Sequence, residues 1–140
     1  MRPTASRTRE ALFNLLIHGG FGQDGGNILA GASIADLCCG SGALAFEALS
    51  RGAATATLVD RESSVLRIAE RNAVKLGVQE QCSFVRAVLP NGLPPGPFDL
   101  VFADPPYDAG LASPIATALR NAKALSPAGI LCMEVPQRAV

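Results

Sequence analysis

Apolar and polar positions along the chain fall into two periods that alternate. Residues 7–17 repeat apolar side chains at Leu12, Phe13, Leu15 and Leu16, a helical spacing, with Thr4 or Ser6 placed to cap the helix and Pro3 just upstream. The Gly-rich stretch from His18 to Asn27 reads as a loop. Beyond it, short apolar runs without polar alternation (32–37, 56–59, 83–88, 98–103 and 130–135) predict buried strands. Between them, residues 42–51, 63–76 and 111–124 show helical spacing, and Gly77 follows the second of these as a C-cap. Residues 90–97 carry four prolines and form a turn-rich connection.

A β-α-β-α-β-loop-β-α-β order predicts an α/β fold with a mostly parallel sheet and helices on both faces. The 140 residues suit one domain, with residues 1–27 as an N-terminal helix and loop and 28–140 as the core. Hydrophobic residues make up 49% of the chain, enough for a sizeable core. No apolar run is long enough to span a bilayer, and the arginines at 2, 7 and 9 are unlike a signal peptide, so a cytoplasmic protein without membrane contact is expected.

Charge adds little. Twelve basic and twelve acidic residues cancel, and Arg2, Arg7 and Arg9 against Glu10 leave residues 1–20 at +2 and the rest at −2. Such a balance does not advertise a stand-alone nucleic-acid binder. Cys38, Cys39, Cys82 and Cys132 form no C-x-x-C pair and lie far along the chain from His18, the one histidine. No metal site is expected, and reduced core thiols fit a reducing compartment.

Two segments carry chemistry. Asp36-Leu-Cys-Cys-Gly40-Ser-Gly42 lies between the first core strand and its helix, where glycines let a ligand approach the backbone. Asp60 closes the second strand and can accept hydrogen bonds from ribose hydroxyls. The spacing Gly40-x-Gly42-x-x-Ala45 also satisfies a dinucleotide fingerprint, so an NAD-dependent oxidoreductase competes with an S-adenosylmethionine enzyme. Asp36 weighs for the latter, because a carboxylate there repels a pyrophosphate and attracts the ammonium of a methionine end.

The second segment, Asp104-Pro105-Pro106-Tyr107, follows the fourth strand. Ligands of open α/β sheets bind at the carboxyl ends of strands, which puts this segment on the rim shared by Gly40 and Asp60. An exocyclic base amine is a poor nucleophile until hydrogen bonds accepted from it enrich its nitrogen. Asp104 supplies one acceptor, a rigid main-chain carbonyl beside Pro105 and Pro106 supplies another, and Tyr107 offers a face for an extruded base. The same groups serve guanine N2, adenine N6 in DNA or a protein glutamine amide.

These motifs resemble the bacterial 16S ribosomal RNA guanine-N2 methyltransferases, within the class I, Rossmann-like methyltransferases that carry [DN]-P-P-[YF]. The resemblance spans essentially the whole chain. Arg2-Pro-Thr4 with Arg7-Thr-Arg9-Glu10-Ala-Leu-Phe13-Asn14 is similar to the family's N-terminal signature, and Asp36 to Leu44 with Glu47 to Gly52 is similar to its first motif and helix. It implies methyl transfer from S-adenosylmethionine to 16S rRNA or the small ribosomal subunit by a monomer. Asp36, Cys38, Gly40 and Gly42 then border the methionine part of the cofactor. Asp60 holds its ribose, Arg61 lies beside the adenine, Asp104 reaches both cofactor and amine, and Arg2, Thr4 and Arg7 face the RNA entrance.

The chain departs from that family in two ways. Residues 86–89 (Arg-Ala-Val-Leu) offer no side-chain acceptor for the adenine, which leaves the backbone at Ala87 for that contact. The family's basic β-hairpin before Arg2 and its last two strands are missing, so a fragment or a shortened member is expected, including the alternative of a non-catalytic RNA-binding relic.

Overall fold

The computed structural model describes residues 3–103 and 112–133. Among the described residues, five strands form one sheet: β1 (Ser33–Leu37), β2 (Thr55–Asp60), β3 (Cys82–Arg86), β4 (Phe98–Ala103) and β5 (Leu125–Met133). The order is β3-β2-β1-β4-β5, and all four pairings are parallel. Four α-helices accompany them among the described residues: α1 (Pro3–His18), α2 (Ala43–Ser50), α3 (Ser63–Leu76) and α4 (Ala112–Asn121).

Period-two alternation assigns each strand residue to a face. Ile34, Ala56, Leu58, Leu100 and Phe102 point to the layer made by α1, α2 and α3, where they pack with Phe13, Leu16, Ala45, Ala48, Leu66 and Ala69. Ala35, Leu37, Val59, Val101 and Ala103 point the other way, onto Ile115 and Leu119 of α4. Both faces are covered, which is why the strands read as continuous apolar runs.

The chain builds β1, β2 and β3 outward in one direction and then returns to place β4 on the other side of β1. That reversal leaves a crevice above the carboxyl ends of β1 and β4, where ligands of doubly wound sheets bind.

The predicted elements are all present, with shifted ends. The first helix begins at Pro3 rather than Arg7, because proline is well tolerated in a first helical turn. The last strand was expected over 130–135, of which 134 and 135 lie outside the described residues; it starts at Leu125, before Pro127 and Gly129, as an edge segment with a register shift between Phe98 and Leu100. An edge strand tolerates proline, and the bulge admits the extra residues that hid this start from an apolar-run pattern. At the opposite end of the strands, Asp99 fastens β4 to its neighbours. Its carboxylate accepts the Ser33 N–H at 2.9 Å and the Ser126 hydroxyl at 3.0 Å.

Candidate active site

β1 ends at Leu37, and the next five residues wrap the crevice before α2 begins. Three of them have positive φ: Cys38 at 63°, Gly40 at 57° and Gly42 at 94°. The two glycines serve different needs. A Cβ on Gly42 meets the Phe46 ring at 2.5 Å and Leu58 at 3.1 Å, so this glycine lets α2 close onto the sheet. A Cβ on Gly40 meets nothing within 4 Å, so that position faces open space at the crevice. The loop is held by backbone bonds from the Cys39 N–H to the Val59 carbonyl (2.8 Å) and from the Gly42 N–H to the Cys39 carbonyl (3.0 Å).

Asp60 joins this loop to the end of β2. One carboxylate oxygen accepts the Gly40 N–H at 3.1 Å, and the other accepts the Glu62 N–H at 3.1 Å. Each oxygen has a second lone pair, so the carboxylate retains acceptor capacity for hydroxyls above it. Asp36, on β1, is 3% exposed and is the buried charged residue of the core among the described residues. Burial raises the pKa of the Cys39 thiol to about 12, and the negative charges of Asp36 and Asp60 push it in the same direction. The loop therefore sits in a negative field that favours a cationic ligand over an anionic one.

The remaining predicted residues divide. Arg61 is exposed and pairs with Glu62 at 3.5 Å. The Ala87 N–H is donated to the Asp60 carbonyl at 3.1 Å, so this amide is engaged inside the protein. Arg7 is exposed on α1. Arg2, Asp104, Pro105, Pro106 and Tyr107, and the side chain of Thr4, lie outside the described residues. The strand that leads into the tetrapeptide is described, and Ala103, just before Asp104, is the register partner of Leu37, just before Cys38.

Two contributors received no role from the sequence: Asn72, which lies in no motif, and the Glu47–Arg51 pair, which lies in the motif-like stretch from Glu47 to Gly52 without an assigned function. The Asn72 amide on α3 donates to the Ser41 carbonyl at 3.1 Å and ties that helix to the loop. Glu47 on α2 accepts from Arg51 at 2.7 Å and lies 3.9 Å from Arg9, while Arg51 sits 5.4 Å over the Phe13 ring and docks α1 on α2. Glu47 and Arg51 at (i, i+4) were a legible signal; the reach to Arg9 was not.

The strand order, the glycine loop after β1 and the acid after β2 define a Rossmann-like class I methyltransferase fold. The chain belongs to the family described as "Conserved hypothetical protein 95", which matches it over residues 1–140. Ribosomal RNA small subunit methyltransferase D of Escherichia coli (strain K12) is 32% identical over 139 residues, covering 96% of this chain and 64% of that protein. The solved structure of Escherichia coli yhhF superposes with a TM-score of 0.84 at 30% identity, covering 100% of this chain and 75% of that one. A SAM-dependent methyltransferase from Thiobacillus denitrificans, crystallised with S-adenosyl-L-homocysteine, has the same fold, with a TM-score of 0.69 at 24% identity over 95% of this chain and 48% of that one. The chain spans less than two thirds of the length of several curated relatives it matches.

Proposed function

We propose that the chain forms the catalytic domain of an S-adenosylmethionine-dependent methyltransferase that acts on the exocyclic N2 amine of a guanine in 16S rRNA. The observation that carries the cofactor assignment is the pairing of an open glycine loop with two carboxylates. Gly40 faces free space, Asp60 spans Gly40 and Glu62, and Asp36 lies buried one strand away. This donor set fits the group. Asp36 attracts the ammonium of the methionine end, Asp60 accepts from the ribose, and Gly40 lets the backbone lie close, in a loop whose Cys38 and Gly42 take the positive φ it needs. A nicotinamide dinucleotide would bring a pyrophosphate into the same negative field, which disfavours the oxidoreductase reading.

The bound cofactor supplies an electrophilic methyl on a sulfonium. The chain's own contribution is to hold the amine and to keep it electron-rich. Asp104 accepts one amine N–H, a carbonyl of the Pro105–Pro106 segment accepts the other, and Tyr107 packs against the base. The proton lost on methylation passes to solvent or to Asp104. Positioning of the two reactants accounts for most of the rate.

The rRNA assignment is supported by the match to a small subunit rRNA methyltransferase over nearly the whole chain and by the Arg7-to-Asn14 segment. A ribosomal substrate implies work in the cytoplasm. The test uses methyl-labelled cofactor and small subunits from cells lacking this modification. Label is expected in guanine, and none there refutes the substrate. Asp104→Ala is expected to abolish transfer while binding of S-adenosylhomocysteine persists; full activity of this variant would remove Asp104 from its role.

A further inference from the structure

We infer that the outward row of α3, formed by Arg67, Arg71 and Lys75, is a docking surface for the RNA phosphate backbone. The inference rests on the reading of the substrate as RNA. Helix α3 buries Leu66, Ala69 and Ala73 against the sheet. Arg67, Arg71 and Lys75 follow one another at four-residue intervals on the opposite side, and all three are exposed.

Arg9, Arg51 and Arg61 have acidic partners at 3.9, 2.7 and 3.5 Å. Arg67, Arg71 and Lys75 have no ion-pair partner among the described residues, although Glu70 lies on the same helix. Lack of an ion pair is shared with Arg86, Arg120 and Lys123 among the described residues; what sets this row apart is three such cations in succession on one helix face. Glu70 stands at (i, i+3) from Arg67, a spacing at which acids and bases can meet on a helix, yet the two form no ion pair. Four residues after Glu70 comes Val74, which is 61% exposed. Ile68, on the other flank of the row, is 48% exposed. Cations flanked by exposed aliphatic carbon suit a chain of phosphates with sugars between them.

The row is also well placed. It starts about one helical turn into α3, whose first residue lies just beyond Asp60 and Glu62 at the crevice rim, and it extends about 12 Å down the helix. The Asn72–Ser41 bond locks α3 to the glycine loop, so RNA held on this face has a fixed relation to the cofactor site.

The test compares the full chain with Arg67→Gln/Arg71→Gln/Lys75→Gln and with a control, Arg120→Gln/Lys123→Gln, at the end of α4. Binding to a 16S rRNA transcript is measured across a salt series, together with methyl transfer and thermal stabilisation by S-adenosylhomocysteine. The triple variant is expected to bind at least about tenfold more weakly, with a salt slope shallower by about 2. Its stabilisation by S-adenosylhomocysteine should stay at the wild-type value, and the control should bind like the wild type. Wild-type affinity and slope in the triple variant overturn the docking surface, as does an equal loss in the control. If the wild-type chain methylates the rRNA and the triple variant does so with the same KM, the docking surface falls and the substrate reading stands. If the wild-type chain neither binds nor methylates the transcript, the substrate reading falls and takes this inference with it.

Discussion

The Asp60 carboxylate reaches back 20 residues to accept the Gly40 N–H at 3.1 Å, while its second oxygen holds the Glu62 N–H at 3.1 Å. One side chain thus sets the spacing between the two loops that border the crevice proposed for the cofactor. Such a charged acceptor contributes about 1.5–3 kcal/mol per hydrogen bond when its partner cannot be replaced by water. Asp60→Ala is therefore expected to weaken S-adenosylhomocysteine binding by about 10- to 100-fold, as read by calorimetry. Asp60→Asn keeps one acceptor and should fall between. Wild-type affinity in Asp60→Ala would show that the clasp does not shape the site.

The two loop glycines should respond differently to alanine. At Gly40 a methyl group finds open space, so Gly40→Ala incurs only the left-handed backbone penalty of about 1–2 kcal/mol. It fills the space assigned to the cofactor, so affinity for S-adenosylhomocysteine should drop more than stability does. At Gly42 the same methyl runs into the Phe46 ring at 2.5 Å with φ at +94°. There the overpacking cost of about 1–3 kcal/mol adds to the backbone term. Urea unfolding should rank Gly42→Ala clearly below Gly40→Ala, and equal midpoints would contradict this division of roles.

Cys39 makes a prediction about alkaline pH. Its thiol has an ordinary value of 9.0 and is raised to about 12, first by burial and then by Asp36 and Asp60. The folded state holds its proton more tightly than the unfolded chain. The resulting stability is fully present below pH 9 and is lost progressively as pH rises from about 9 toward 12. Urea midpoints at pH 8 and pH 10.5 should therefore fall more for the wild type than for Cys39→Ala. An identical pH-dependent loss in the two proteins would mean that this thiol is not linked to folding.

Much of this arrangement was legible in the residues, for reasons that differ by element. The apolar runs from Ile34 to Leu37 and from Phe98 to Ala103 announce strands covered on both sides, and a helix between each pair of early strands dictates parallel crossovers. The glycine spacing after Asp36 marks a ligand loop because few side chains tolerate those backbone angles. The interior use of the Ala87 amide was not legible, since backbone partners leave no trace in side-chain identity. Asn72 was equally silent: an amide on a helix face shows no preference until the neighbouring loop is in place. The start of β5 at Leu125 was concealed by Pro127 and Gly129, which only an edge position permits.

The last prediction concerns Phe13, which connects the N-terminal signature to β4, the strand that precedes Asp104. Phe13 is fully buried, and its ring centroid lies 5.6 Å from that of Phe102 at an interplanar angle of 49°. Phe102 sits on β4, two positions before Asp104, and Arg51 lies 5.4 Å over the Phe13 ring. Phe13→Ala empties this contact and is expected to cost about 3–5 kcal/mol in urea unfolding. Phe13→Leu nearly keeps the volume and should cost less than about 1.5 kcal/mol. The leucine variant separates stability from function. If the aromatic pair only fills space, Phe13→Leu keeps the wild-type rate of methyl transfer. If the pair also holds β4 in position beneath the tetrapeptide, kcat falls while S-adenosylhomocysteine binding at Gly40 and Asp60 persists. The second outcome is expected, because α1 reaches β4 directly through this ring pair, whereas the Gly40–Asp60 clasp is built from β1, β2 and their loops.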